Sequence, residues 1–138
     1  MVDRDIIFEK IANIQRCLKR IKEKTSLDPN TLEGLDTQEI FILNLQRAIQ
    51  SAIDLASHVV ADEGLGLPGS IKENFSLLQN AGILSPEISV KMQSMVGFRN
   101  IAIHEYQNIK PAILKSILEH HLNDFIEFYQ QVSNYFKI

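Results

Sequence analysis

The sequence predicts an all-α protein, an up-and-down bundle of about five helices that forms a single domain over residues 1–138. Apolar residues recur at the three- and four-residue spacing of a helix along almost the whole chain. Only six glycines and four prolines interrupt it, which favours long helices over many short strands. A composition of 45% hydrophobic and 22% charged residues is that of a globular protein with one core of ordinary size.

The first two predicted helices are long. The first covers residues 3–24 and carries one continuous apolar stripe. Residues 25–35 contain Asp-Pro-Asn and a glycine, so we expect a loop there. Asp36 and Glu39 have the spacing of a capping box and predict the start of a second helix, which extends to about residue 62.

A short third helix follows a glycine-rich connection. Ser70 and Glu73 form a second capping box, and Gly82 is expected to end the helix that they begin. The apolar residues Phe75 and Leu78 give this helix its buried side.

The last two predicted helices begin at prolines. Ser85 before Pro86 is a strong helix start, and the fourth helix is expected to end near residue 104. Pro111 opens a fifth helix, whose apolar stripe continues to Val132.

The compartment is predicted from one cysteine and from the N-terminus. Cys17 is the only cysteine, so the chain cannot form an internal disulfide or a Cys-rich zinc site. It lies on the apolar side of its helix and is expected to be a buried structural thiol. The N-terminal Met-Val-Asp-Arg-Asp carries charges where a signal peptide needs an apolar run. We therefore expect a cytoplasmic protein that does not enter the membrane.

The net charge of −3 argues against indiscriminate binding to nucleic acid. Any RNA contact must come from a local basic patch. One candidate is a basic run on the first helix, for which a solvated helix face is the alternative interpretation. The run comprises Arg16, Lys19, Arg20, Lys22 and Lys24.

The residues that carry chemistry are concentrated in the segment Phe98–Tyr106. Arg99 offers the planar fork of donors that binds phosphate, and His104 can move protons near neutral pH. Together they are the minimum equipment for cleaving a phosphodiester without a metal. The alternative is structural, because an arginine and a histidine near a helix C-terminus often only satisfy the last carbonyls and the helix dipole.

Helical geometry constrains these side chains. Residues five apart on a helix are offset by about 140°, so Arg99 and His104 share no face of an unbroken helix. Either the long arginine must sweep around the helix or the helix must unwind before the histidine. Asn100 and His104 are four apart and do share a face.

Cleavage of RNA by its own 2′-hydroxyl predicts a dimer. The reaction needs one group to take the 2′ proton, another to protonate the leaving 5′ oxygen, and a cation over the phosphate. His104 can serve as base or acid, Arg99 as clamp, and Asn100 can orient the imidazole or donate to a phosphate oxygen. Because the segment has only one histidine, a twofold homodimer must bring two copies together.

The string from Met95 to Tyr106 resembles the signature of HEPN-domain proteins, an arginine, a polar residue, spacers and a histidine. Four spacers, and a tyrosine two residues after the histidine, are similar to the toxins of HEPN/MNT toxin–antitoxin pairs. The resemblance extends over essentially the whole chain. It includes Leu45–Arg47, Asp54–His58, Pro68, Phe75, Leu78 and Gly82.

The resemblance implies an all-α bundle that dimerises around a composite active cleft. Active members are metal-independent ribonucleases, for which tRNA is the expected target, and no cofactor is implied. The expected partner is a small nucleotidyltransferase-fold (MNT) antitoxin that transfers AMP from ATP to Tyr106. The catalytic residues carried over are Arg99, Asn100 and His104.

Two charged residues of the second helix are candidates for supporting roles. Asp54 is expected to orient Arg99 or His104, and Arg47 to add positive charge to the cleft; a plain salt bridge is the alternative for both. Asp54 and His58 also have the spacing of a metal-ligand pair, but the chain lacks the Glu-x-x-His pattern of bundle metal sites. No metal is expected.

Two other functions remain open from the sequence. One is a catalytically inactive HEPN-like helical module that binds a nucleotidyltransferase partner or a nucleotide. The other is a plain helical dimerisation protein.

Overall fold

A computed structural model describes residues 2–138, apart from the side chain of Tyr106. This part of the chain contains α-helices and short 3₁₀ helices, with no strand, so the predicted all-α class is confirmed. The α-helices are α1 (Arg4–Thr25), α2 (Leu35–Asp62), α3 (Glu73–Asn80), α4 (Pro86–His104), α5 (Pro111–His120) and α6 (Leu122–Phe136). The 3₁₀ helices are Pro29–Glu33 and Tyr106–Asn108. No helix of the described residues is long and apolar enough to cross a membrane.

Helix α1 forms as its sequence predicts. The Asp3 carboxylate accepts a hydrogen bond of 2.9 Å from the Asp5 N–H and caps the N-terminus. Ser26 adopts the left-handed conformation, with φ of 52°, and ends the helix. Cys17 is buried on the apolar side, as predicted, and burial raises the pKa of its thiol.

The predicted capping box at the start of α2 is wrong. The helix begins one residue earlier, at Leu35, and its N-cap is Gly34, which has no side chain to cap with. The preceding 3₁₀ helix buries Leu32 in the core. The Gln38 side-chain amide donates a hydrogen bond of 2.6 Å to the Leu32 carbonyl. This docking brings the chain into α2 ahead of Asp36, so the capping position falls on the glycine.

Helix α4 confirms its predicted start, whereas the capping box predicted for α3 forms only in part. The Ser70 hydroxyl accepts a hydrogen bond of 3.3 Å from the Glu73 N–H, but α3 begins only at Glu73, so its N-cap is Lys72, which makes no side-chain capping bond. Gly82 has φ of +78°, a conformation that suits glycine, and follows the end of α3. Ser85 accepts 3.2 Å from the Ile88 N–H at the start of α4. Helix α4 ends at His104, where the sequence places its end.

The predicted fifth helix is two helices, α5 and α6, which meet at His121. The backbone of His121 leaves helical geometry, with φ of −123°. Its Nδ1 lies 2.9 Å from Oδ2 of Asp124, a carboxylate only 3% exposed that Lys91 of α4 also approaches at 3.7 Å. A buried carboxylate costs free energy unless it is paired. Satisfying Asp124 fixes the start of α6 and breaks the continuous helix that the apolar stripe predicted.

Helix α2 lies at the centre of the bundle. It packs along α1 and also contacts α3, α4 and α6. Phe75 of α3 and Phe128 of α6 meet edge to face, with ring centroids 5.7 Å apart. Burying a phenylalanine contributes about 1.5–3 kcal/mol. The core therefore fixes α4 against α2, α3 and α6, and leaves the last turns of α4 at the surface.

Candidate active site

The segment that carries the chemistry is held by two buried residues of α4. Phe98 and Ala102 face the core, and Arg99 beside them is half-buried. Asn100 and His104 are exposed to solvent. The last turn of α4 thus anchors itself on one side and presents the polar residues on the other.

The helix does not unwind before His104. Helix α4 is continuous from Pro86 to His104, so Arg99 and His104 are offset by about 140° and by about 7.5 Å along the axis. Only the length of the arginine side chain, or a second copy of the segment, can bring a guanidinium and an imidazole to one phosphate. Asn100 and His104 lie on one face, as predicted.

Within the described residues, the polar side chains of this segment have few partners. Arg99 Nη1 donates a hydrogen bond to Oδ1 of Asn100, and the distance of 3.4 Å between the two atoms makes it a long one. Neither Arg99 nor His104 bonds a backbone carbonyl or forms an ion pair with a described residue, and Glu105 closes the helix by donating 2.7 Å to the Ile101 carbonyl. The structural alternative, a C-terminal cap made by these two side chains, is not what this part of the structure shows.

The face of α4 that carries His104 is apolar and open. Val90, Gly97, Ile101 and His104 lie within about 60° of one another around the helix. We call this set the α4 face. Val90 is 61% exposed and Ile101 46% exposed. An apolar helix face in water is typical of a surface that another molecule covers.

A groove and a lysine adjoin the α4 face. The groove, of about 700 Å³, runs between α4 and α5, and Met95, Phe98 and Ile117 line it. The Lys72 ammonium occupies the space over Gly97, 3.5 Å from where a Cβ would stand. Lys72 therefore adds a cation about two helical turns from His104, a feature that sequence reasoning missed because it depends on how the connection before α3 folds.

Tyr106 is the first residue of the 3₁₀ helix Tyr106–Asn108, directly after Glu105. Its side chain lies outside the described part of the structure. The predicted role of Tyr106 as AMP acceptor is therefore taken up below as a proposal.

Arg47 and Asp54 lie in a groove between α1 and α2. Asp54 accepts 2.8 Å from the Gln50 amide and lies 3.5 Å from the Lys10 ammonium. Neither residue bonds Arg99 or His104 within the chain as described. Lys10, the partner of Asp54, was missed because its position depends on the packing of α1 on α2.

His58 does not pair with Asp54. Its Nε2 lies 3.1 Å from an Asp62 carboxylate oxygen one turn further along α2, a close contact that lacks the angles of a hydrogen bond. Among the described residues, no three His, Cys, Asp or Glu side chains are grouped so that they could hold a metal ion.

Comparisons with known proteins agree with the fold and the segment. The family model described as Ribonuclease HepT-like matches residues 14–132. The chain is 39% identical over 124 residues to the mRNA nuclease HepT of Shewanella oneidensis, which covers 90% of this chain and 93% of the relative. It is 30% identical over 132 residues to the tRNA nuclease HepT of Aphanizomenon flos-aquae, covering 94% and 89%.

Solved structures give the same answer. A toxin–antitoxin complex crystallised with AMP-PNP contains a chain that superposes with a TM-score of 0.89 at 37% identity, covering 94% of this chain and 98% of that one. The tri-AMPylated Shewanella oneidensis HEPN toxin in complex with MNT antitoxin superposes with a TM-score of 0.88, at the same identity and coverage. The match of the family model over most of the chain confirms the resemblance to HEPN-domain toxins. The chain belongs to the HepT-like ribonuclease family.

Proposed function

We propose that the protein is the toxin of a toxin–antitoxin pair, a metal-independent endoribonuclease that acts in the cytoplasm on RNA, with tRNA as the favoured target. It works as one HEPN domain over residues 1–138. The observation that carries the proposal is the intact set Arg99, Asn100 and His104 on the exposed last turns of α4, in a chain of the HepT-like ribonuclease family.

The reaction is an attack of the ribose 2′-hydroxyl on the adjacent phosphorus. One His104 takes the 2′ proton, and the His104 of a second protomer gives a proton to the 5′ oxygen as the P–O5′ bond breaks. Arg99 binds the non-bridging oxygens, on which negative charge develops. The products are a 2′,3′-cyclic phosphate and a 5′-hydroxyl. Asn100 shares the His104 face and orients the imidazole or donates to a phosphate oxygen.

The composite cleft requires a homodimer through the α4 face. The exposure of Ile101, about one turn before His104, and of Val90, about four turns before it on the same face, supports this, because covering the apolar face would bring two copies of the segment together. The 140° offset of Arg99 and His104 within one helix is then no obstacle, since the two groups need not come from the same protomer.

Neutralisation is proposed to come from an MNT-type nucleotidyltransferase that transfers AMP to Tyr106. A nucleotide two residues from His104 would fill the cleft, compete for Arg99 and repel the substrate phosphate. The AMPylated state of the Shewanella oneidensis toxin, in complex with its MNT antitoxin, supports the same chemistry here.

Two substitutions test the catalytic proposal. His104→Ala should lower cleavage of purified tRNA and mRNA by about 10²-fold or more, because general acid–base catalysis contributes about 10²–10⁴-fold. Arg99→Ala should lower it by about 10²–10³-fold, the usual loss when one donor to a developing negative charge is removed. His120→Ala is the matched control, because it removes another surface histidine, at the end of α5. Unchanged cleavage in both variants would contradict the proposal and favour an inactive HEPN-like module that binds a nucleotidyltransferase or a nucleotide.

A further inference from the structure

The groove between α1 and α2 is built from polar residues, although it lies on the seam where the two longest helices pack. Its volume is about 490 Å³, within the range of about 300–1,000 Å³ usual for ligand sites. We call it the α1–α2 groove. It is lined by Lys10, Asn13, Arg16, Cys17, Asn44, Arg47, Gln50, Ser51 and Asp54.

The α1–α2 groove has a buried floor and a charged rim. Cys17, Asn44 and Ser51 are each at most 9% exposed and form the floor. The amide of Asn44 is held by its own helix, donating 2.9 Å to the Ile40 carbonyl. Polar groups at a helix–helix seam cost free energy that apolar residues would not. The seam is therefore shaped for something other than packing α1 on α2.

The rim carries an excess of positive charge. Lys10, Arg16 and Arg47 face one carboxylate, Asp54, in a chain whose net charge is −3. Asp54 is engaged by Lys10 at 3.5 Å and by the Gln50 amide at 2.8 Å. Arg47 is exposed and forms no hydrogen bond or ion pair with any residue that the structure describes. Its fork of donors is free for an anion, and arginine matches phosphate with two parallel hydrogen bonds.

The two arginines of the rim both lie close to the groove floor. The positive charges of Arg47 and Arg16 act to lower the pKa of the Cys17 thiol, against the larger effect of burial, which raises it. Both arginines line the groove, and Arg16 also donates from Nη2 to Oδ1 of Asn13, so an anion there would be reached by the guanidinium of Arg47 and by the remaining N–H groups of Arg16. This convergence requires the packing of α1 on α2 and is absent from either helix alone.

The basic surface continues beyond the groove along α1. Lys19 and Arg20 are three and four residues after Arg16, so they lie on the same face, and all three are exposed. From Lys10 to Arg20 the basic residues cover about 15 Å along the helix axis, at about 1.5 Å per residue; Lys10 lies on the groove side of α1, about 120° around the helix from Arg16. The exposed carboxylates of Glu9 and Glu23 bound the face that carries Arg16, Lys19 and Arg20. A track of this length suits a polymer of phosphates better than a single phosphate or one carboxylate.

We propose that the α1–α2 groove, with its continuation along α1, is a second RNA-binding site that holds the phosphodiester backbone of the substrate away from the cleaved bond. The inference rests on the proposed ribonuclease function. It gives the protein a way to hold RNA despite its net negative charge, because counterion release at a local basic track supplies affinity that is independent of sequence.

The test measures RNA binding in the His104→Ala protein, so that the RNA stays intact. The groove variant carries Lys10→Gln, Arg16→Gln and Arg47→Gln. The matched control removes the same charge from exposed positions outside the groove and its continuation, by Arg4→Gln, Lys110→Gln and Lys137→Gln. The probes are bulk tRNA and a fluorescein-labelled single-stranded RNA of about 20 nucleotides, longer than the sites of about 4–16 nucleotides known for single-strand binders.

The groove variant should bind both RNAs at least about tenfold more weakly, and the slope of log K against log salt should flatten by about 2, since each contact to a single strand contributes about 0.7. The control variant should bind both RNAs with nearly the affinity and the salt slope of the His104→Ala parent. A second variant, Arg16→Lys with Arg47→Lys, keeps the charge but loses the two guanidinium forks, so its affinity should fall between those of the parent and the groove variant, with the salt slope of the parent. A thermal unfolding curve of each variant shows whether it is folded.

Three results would overturn the proposal. The first is that the groove variant and its control weaken RNA binding equally, and the second is that the parent binds neither RNA measurably. The third is that the groove variant binds RNA like the parent but no longer forms the antitoxin complex, which would make the groove a protein-docking surface. Failure of the ribonuclease function is seen separately, as absence of cleavage by the wild-type protein on the same RNAs.

Discussion

The end of α4 and the α1–α2 groove both present arginines to solvent, yet they are built in different ways. The catalytic candidates at the end of α4 are contiguous in the sequence and lie on one exposed helix end. The α1–α2 groove takes its residues from two helices, at positions 10–17 and 44–54 of the chain. A short sequence motif can therefore predict a site like the one on α4, whereas a site like the α1–α2 groove exists only once the two helices pack.

The two regions also differ in whether one chain supplies the complete site. The α4 segment has one histidine and an uncovered apolar face, so its chemistry is incomplete without a second copy. The α1–α2 groove has its buried floor and its charged rim within one chain. If both proposals hold, the chemical step depends on dimerisation and the binding of RNA to the groove does not.

The largest expected effect comes from breaking the dimer. Ile101→Asp places a carboxylate on the α4 face beside His104, where pairing of two copies would bury it against its twin. We expect a monomer in light scattering and a loss of cleavage of about 10²-fold or more, while RNA binding to the α1–α2 groove persists. Leu67→Asp is the control, because Leu67 is 95% exposed in the connection before α3. A dimeric, fully active Ile101→Asp protein would contradict the shared cleft.

An intermediate effect is expected at Tyr106. Tyr106→Phe removes the hydroxyl that would accept AMP but no proposed proton donor or acceptor, so cleavage should continue. With the antitoxin and ATP, the variant should gain no mass in intact mass spectrometry and should remain active. Tyr135→Phe, which alters another tyrosine at a half-exposed position, is the control and should still be modified. AMP transfer to the Tyr106→Phe protein would show that the acceptor is elsewhere.

The smallest effect distinguishes the two roles considered for Asp54. If Asp54 only opposes the cations of the α1–α2 groove, Asp54→Asn frees Lys10 and should tighten RNA binding by about threefold at moderate salt, with the cleavage rate at saturating RNA unchanged. If Asp54 orients the catalytic residues of a second protomer, the saturated rate should fall instead. Measuring the binding constant and the saturated rate on the same RNA separates these outcomes.

Much of the fold could be read from local signals. The capping residue Ser85 and the end of α4 agree with prediction, because each depends on a few neighbouring residues. The start of α2 and the break at His121 do not. They depend on the docking of Leu32 and on the pairing of the buried Asp124 with Lys91, contacts between segments far apart in the chain.

The sequence by itself determined the all-α class, the HepT-like family and the residues Arg99, Asn100, His104 and Tyr106 as candidates, because helical periodicity and a contiguous motif are local properties. Only the tertiary structure decided that the apolar face of α4 is open and that Lys10, Arg16 and Arg47 converge on one groove. The reason is physical. The packing of helices that are distant in the sequence sets which side chains meet, and no local sequence pattern specifies that packing.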